Sequence, residues 1–384
     1  MKSVQKITVS AGAVTAAAAA ALFAVPAGAA SASVAGTPHG GGSTGAVFAQ
    51  NDSTAGNEVI AYSRTASGGL TEAGAYATGG TGGVLGGSVV DHTASEGGLA
   101  YDPAANMLYT VNAGSNTITV FTVHGDRLTR LQVIGSGGTF PISIAVHGNL
   151  VYVLNARDRG SVAGFLRAGG RLIAVPSWNR ALGLDTSQSP EFTSTPGQVA
   201  FTPDGSKLVV TTKNGGNTID VYGVGPLGPS ARPATTATPG DVPFGLTFDP
   251  RGNPVVTEAG PNAVASFAIA RNGKLTGLDT ELSGQTATCW ITADGDTLYA
   301  SNAGSGTVSE YRDNGSGNLT VLGNTATDAG TVAATVSADG KFLYAETGGA
   351  GVIDAFRIAP DGSLTKTGAV AIPGGAGAEG IAAP

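Results

Sequence analysis

One short line recurs along this chain: an apolar run that ends in a polar residue. It appears as Leu108-Tyr109-Thr110-Val111-Asn112 and again as Leu298-Tyr299-Ala300-Ser301-Asn302. Matching runs end at Asn51, Asn155, Thr212, Glu258 and Thr347, so successive ends lie 61, 43, 57, 46, 44 and 45 residues apart. Seven units of roughly 45 residues mark a repeat architecture, in which each unit buries its apolar face only against its neighbours.

The internal grammar of a unit identifies the repeat. From Gly98 to Gly135 the residues predict a short strand Gly98–Tyr101, a turn at Asp102-Pro103, and a strand Met107–Val111. A loop, a strand Thr117–Val123, a polar turn and a strand Leu128–Ile134 follow. Other units place Asp204-Gly205, Asp294-Gly295 or Asp339-Gly340 at the first turn and Asn272-Gly273 or Asp361-Gly362 at the last. Such dipeptides supply the positive φ of tight hairpins. Four antiparallel strands per repeat, with no room for helices, describe the blade of an all-β, seven-bladed β-propeller. Residues 45–80 hold three strands where four are needed. Glu379-Gly380-Ile381-Ala382 resembles Glu96-Gly97-Gly98-Leu99, so the C-terminal strand is expected to join blade one and close the ring. Closure removes an open sheet edge. The recurring Asn51, Asn112, Asn155 and Asn302 are read as caps of the loops that follow them.

The N-terminus reads differently. Lys2 and Lys6 precede the uncharged run Ile7–Val25, Pro26 breaks it, and Ala27-Gly28-Ala29 offers a small-x-small cleavage site. Residues 1–29 are therefore expected to be a secretory signal peptide, residues 30–44 a Gly/Ser/Ala-rich linker, and residues 45–384 the propeller. A retained membrane anchor is the rival reading of the first segment. After cleavage the protein is expected to be extracellular, monomeric and free of membrane.

Charged residues make up 12% of the chain and the formal net charge is −7, which argues against a nucleic-acid partner. Cys289 is the single cysteine, so no intramolecular disulfide or cysteine-rich metal site forms, and it is read as a small buried hydrophobe. Nucleophile-elbow, Walker and His-Glu-x-x-His sequences are missing, and no cofactor or metal is expected.

Candidate functional residues gather on the rim carrying the blade-to-blade connections. Glu258, Lys213 and His92 are the catalytic candidates. A desolvated lysine, a carboxyl of raised pKa or an imidazole beside Asp91 can each move a proton at neutral pH. Lys213 is more readily read as a rim lysine paired with Glu258. Arg157, Arg159, Glu96, Gln198 and Glu346 are the ligand-binding candidates, the arginines because a guanidinium fork clamps an anion. Asp91, Glu191 and Glu379 share that rim.

The units Tyr109-Thr110-Val111-Asn112, Tyr152-Val153-Leu154-Asn155 and Phe201-Thr202-Pro203-Asp204-Gly205 resemble the YVTN-type repeats of lactonase-like propellers. That family includes bacterial 6-phosphogluconolactonases and fungal carboxymuconate cyclases, and the resemblance runs from about Gly45 to Pro384. It implies a seven-bladed propeller and, for the enzymes, a Pro-His-x-His stretch and a Pro-Arg-His stretch. The corresponding residues here are Pro196-Gly197-Gln198-Val199 and Pro243-Phe244-Gly245, without imidazole or guanidinium. Two functions are carried forward. The first is a binding or interaction propeller for a small molecule, glycan or surface protein at its rim or channel. The alternative is a divergent lactonase or cyclase with a non-standard site.

Overall fold

A computed structural model describes residues 45–384. The signal peptide and linker expected over residues 1–44 lie outside the described residues. The remaining chain folds into seven antiparallel sheets arranged as the blades of a propeller. Blade two shows the repeat in its simplest form, with strands Leu99–Asp102, Met107–Asn112, Thr117–His124 and Arg127–Gly135 running from the inside outward.

The ring closes as the sequence predicts. Blade one takes Gly45–Gln50, Glu58–Arg64 and Leu70–Ala77 from the start of the domain, and Ile381–Ala382 pairs on its inner side. The register sets Ala382 opposite Phe48 and Ile381 opposite Ala49, and the Gln50 amide donates to the Gly380 carbonyl at 3.0 Å.

Blades three and four depart from the simple pattern. Their outer positions are each filled by two short strands: Arg171–Ala174 with Arg180–Ala181, and Gly228–Pro229 with Ala234–Ala237. Pro176, Pro229 and Pro233 interrupt these edges because proline has no N–H for the ladder. Five blades carry a bulge between their two outer strands, as at Ala61/Tyr62 and Val120/Phe121. A bulge at that point adds to the twist a blade needs.

Blades adhere through apolar faces and a few buried hydroxyls. Tyr299, Tyr344 and Tyr62 are fully buried, and each hydroxyl reaches a carbonyl of the adjacent blade, at Gly362 (3.1 Å), Gly68 (2.9 Å) and Ala371 (2.9 Å). Between blades two and three, Arg167 forms an ion pair with Asp102 and donates to the Tyr109 hydroxyl at 2.9 Å. The repeated asparagines are structural. Asn112 donates to the hydroxyls of Thr117 (3.1 Å) and Thr119 (2.9 Å), and Asn302 to those of Thr307 (3.1 Å) and Ser309 (2.8 Å).

Candidate functional site

The connection from blade one to blade two, residues 78–98, is far longer than a blade-to-blade step needs. Its second half crosses the mouth of the central channel. Asp91 shapes the turn: its carboxylate accepts from the amides of Thr93 (2.8 Å), Ala94 (2.7 Å) and Ser95 (2.9 Å) and from the Thr93 hydroxyl (2.9 Å). Ala94 and Gly97 adopt positive φ, at 46° and 87°, which turns the strap across the ring.

Once there, the strap is held by most of the propeller. The Ser95 carbonyl accepts from the Trp290 indole of blade six at 2.7 Å, and the Ser95 hydroxyl donates to Ile142 of blade three at 2.9 Å. Lys213, beside blade four, donates its Nζ to the carbonyls of Ala94 and Phe192, each at 2.6 Å. The Glu96 amide donates to Gly197 at 3.2 Å, and its carboxylate accepts from the Ile291 amide at 3.3 Å. The His92 amide donates to Gly377 at 2.8 Å, and Glu379 accepts from the Gly97 amide at 3.0 Å.

Beneath this strap lies a buried cluster of carboxyl groups. Asp52, Glu346 and Glu379 are fully buried in the ring, and Asp91 and Glu96 come from the strap. Burial pushes Asp52 and Glu96 up to about 8. Asp91 is raised to about 6, since burial outweighs the hydrogen bonds it accepts. Glu346 and Glu379 are pushed well above the usual carboxylate range, first by burial and then by the neighbouring acids. Lys213 is the cation among them, 1% exposed, with burial lowering it to about 7 while Asp91 pulls the other way. Its Nζ sits 5.0 Å from the centre of the Phe244 ring, which packs edge-on against Trp290. Among the described residues, no three His, Cys, Asp or Glu side chains are arranged to hold a metal ion.

Lys213, His92, Glu96 and Glu346 are thus brought to the strapped mouth. His92 is half-buried, and burial lowers its pKa. Glu258 does not join them, and it is not paired with Lys213. It ends the second strand of blade five with 6% exposure, its carboxyl accepts no hydrogen bond among the described residues, and it is raised to about 7 by burial and by Asp241. Arg157 grips Glu191 through two bonds, at 2.7 and 3.1 Å, lies 4.3 Å from the centre of the Phe140 ring, and donates to the strap's Val84 carbonyl at 3.4 Å. Arg159 stands apart on the carbonyls of Leu184 and Gly183. Gln198 accepts from the Leu246 amide and lines a separate cavity of about 360 Å³ with Tyr101, His147 and Phe201. Cys289 is buried and its thiol is pushed up to about 12 by burial, in keeping with a packing role.

Asp52 and Trp290 were not singled out from the sequence. Asp52 directly follows the repeated Asn51, and its place beside that repeat is the one signal the sequence offered. Trp290 offers only its rarity, as one of two tryptophans in the chain.

Residues 256–380 match the family description Lactonase, 7-bladed beta-propeller. No curated protein sequence matches the chain significantly. Among solved structures, a putative 6-phosphogluconolactonase from Bacteroides fragilis is 19% identical with a TM-score of 0.70, covering 91% of this chain and 100% of its own. The periplasmic gluconolactonase of Pseudomonas aeruginosa is 19% identical with a TM-score of 0.71, covering 88% and 98%. Virginiamycin B lyase from Staphylococcus aureus is 16% identical with a TM-score of 0.54, covering 76% and 89%. At these identities the likeness is one of fold: the chain is a lactonase-like seven-bladed propeller.

Proposed function

We propose that this lactonase-like propeller is exported and works by binding, its rim loops and channel mouth recognising a small molecule, a glycan or a surface protein. The observation that carries this reading lies at the positions where the resemblance calls for histidines. A Cβ at Gly197 would stand 2.6 Å from the Phe244 carbonyl oxygen, and one at Gly245 would stand 2.7 Å from the Cys289 carbonyl oxygen. Neither backbone leaves room for an imidazole. The Gly197 carbonyl instead anchors the strap through Glu96. Lys213 is committed to two carbonyls, and Arg157 to Glu191. Export rests on the n-region, apolar run and cleavage signal of residues 1–29.

A divergent lactonase is the second reading, and Glu258 favours it. A carboxyl that is almost fully buried, free of hydrogen bonds and held near 7 has the properties of a general base that activates water. The two readings separate in one experiment on the chain from Ala30 onward. Proton release is followed in a pH-stat with sugar and carboxylated lactones, beside Glu258→Gln and Lys213→Ala, and the same protein is applied to a glycan array. Saturable glycan binding without turnover is the expected result. Turnover above spontaneous hydrolysis that Glu258→Gln abolishes would replace the binding reading with the hydrolase.

A further inference from the structure

The strap closes the channel mouth with the wrong charges for a permanent seal. It brings Asp91 and Glu96 against Asp52, Glu346 and Glu379, and the acids raise one another through space. Glu346 accepts from the Gly380 amide at 2.9 Å through one oxygen, and its other oxygen is buried without a partner. The charged or titratable groups facing this cluster are Lys213, the half-buried His92, the Cys289 thiol and, toward Glu346, the Tyr62 phenol.

The strap's own hold is mostly polar. Leu85 and Ala94 are its buried apolar anchors and the half-buried Val90 packs against the core, while Val84 and Val89 are 38% and 76% exposed. Its outer leg is latched by an ion pair standing outside the cluster: Arg157 donates to the Val84 carbonyl, and Glu191 accepts from the Gly86 amide at 2.7 Å.

We propose that residues 84–97 are a displaceable strap, and that mutual repulsion among the carboxylates it covers lifts it from the channel mouth as they ionise. Near pH 6, Asp91 begins to ionise against the Lys213 ammonium while Asp52 and Glu96 keep their protons, so the cluster is close to neutral. Toward pH 9, Lys213 loses its charge and Asp52 and Glu96 gain theirs. Asp91, Asp52 and Glu96 then face one another as anions without a counter-ion. Burial makes that arrangement costly, and opening lets water reach every one of them. What then enters the mouth rests on the binding reading above; the opening itself does not.

Trp290 reports on the strap directly, because its indole is held by Ser95 and it is 4% exposed. Trp178→Phe leaves it as the sole tryptophan. Acrylamide quenching of this protein is expected to rise several-fold between pH 6 and pH 9. Amide exchange over 84–97 is expected to accelerate at least tenfold beyond the intrinsic pH effect, while Met107–Asn112 and Thr297–Asn302 stay protected. Asp52→Asn, in the ring, is expected to move the transition to higher pH. Glu96→Gln, half-buried on the strap itself, does the same if the ring variant fails to fold. Arg157→Ala, which releases the latch, is expected to move it lower. Flat quenching from pH 6 to 9, exchange of strap and strands together, or an unchanged midpoint in Glu96→Gln would each overturn the proposal. No ligand takes part in these readouts, so their failure is distinct from a failure of the binding reading.

Discussion

Ending the chain at Gly377 tests whether the ring is closed by its last residues. The truncation removes Ile381 and Ala382, both 8% exposed, from apolar clusters that include Val47, Ala49 and Phe48. Burying one isoleucine is worth about 2–3 kcal/mol. It also removes hydrogen bonds on both sides of that strand, among them Gln50 to Gly380, Glu379 to Asp52, and Gly380 to Glu346. Each is worth about 1 kcal/mol, and leaving Asp52 and Glu346 without those donors costs roughly 1–3 kcal/mol apiece. The sum is on the order of 10 kcal/mol, comparable with the whole stability of a typical domain. The truncated chain is expected to lose its cooperative melt and to aggregate through the exposed inner edge of blade one. Ile381→Ala is the graded version. A loss of about 3 kcal/mol, spread over an unfolding entropy of ~2.1 cal/mol/K per residue, lowers the melting temperature by roughly 4 °C. Circular-dichroism melts and size-exclusion chromatography make the comparison. A truncated protein that elutes as a monomer and melts like the full chain would refute closure by this strand.

Three further outcomes follow from the same structure. Stability is expected to fall as pH rises from about 5 to 7, because Asp52 and Glu96 keep their protons when folded and lose them when unfolded. Each group contributes ~1.4 kcal/mol per pH unit in that window, and from about pH 7 upward the depressed Lys213 works in the opposite direction; urea melts at pH 5, 6 and 7 read the slope, and a flat profile would contradict it. Arg167→Ala strands Asp102 between blades two and three, where the paired side chains are 10% and 9% exposed, so a loss of about 3–5 kcal/mol is expected in the same melts. Cys289 is expected to resist a thiol reagent at pH 8 until denaturant is added, and rapid native labelling would contradict its burial and raised thiol pKa.

What was legible in the sequence was whatever the repeat writes more than once. Blade count, strand order, Asp-Gly turns and the capping asparagines are each sampled several times, so one ambiguous unit is corrected by its neighbours. The closing strand was legible because Glu379-Gly380-Ile381-Ala382 copies the entry to blade two. The strap was not, since residues 78–98 occur once and their partners lie on distant blades. Glu96 and Lys213 carried a chemical signal, but nothing local says that one faces Ile291 and the other the Ala94 carbonyl. The expected pairing of Lys213 with Glu258 fails for the same reason. Glu258 ends the second strand of blade five and Lys213 lies just past that of blade four, yet the strap captures the lysine and leaves the carboxyl with Asp241.

The strap also accounts for how the reactive residue types of this rim are used. Lys213, Arg157 and Glu96, which from sequence offered a base, a clamp and a ligand contact, and Glu191 of the same rim each place hydrogen bonds on residues 84–97 or extend from them. Their polarity is used within the chain. A permanent plug would be built more stably from apolar side chains, because removing paired polar groups in favour of close packing is often neutral or favourable. Carboxyls gathered beneath a polar strap suit a closure that must yield. The channel mouth is then best read as a site held shut by the chain's own hydrogen bonds, and the pH at which Trp290 becomes accessible is the first quantity that describes it.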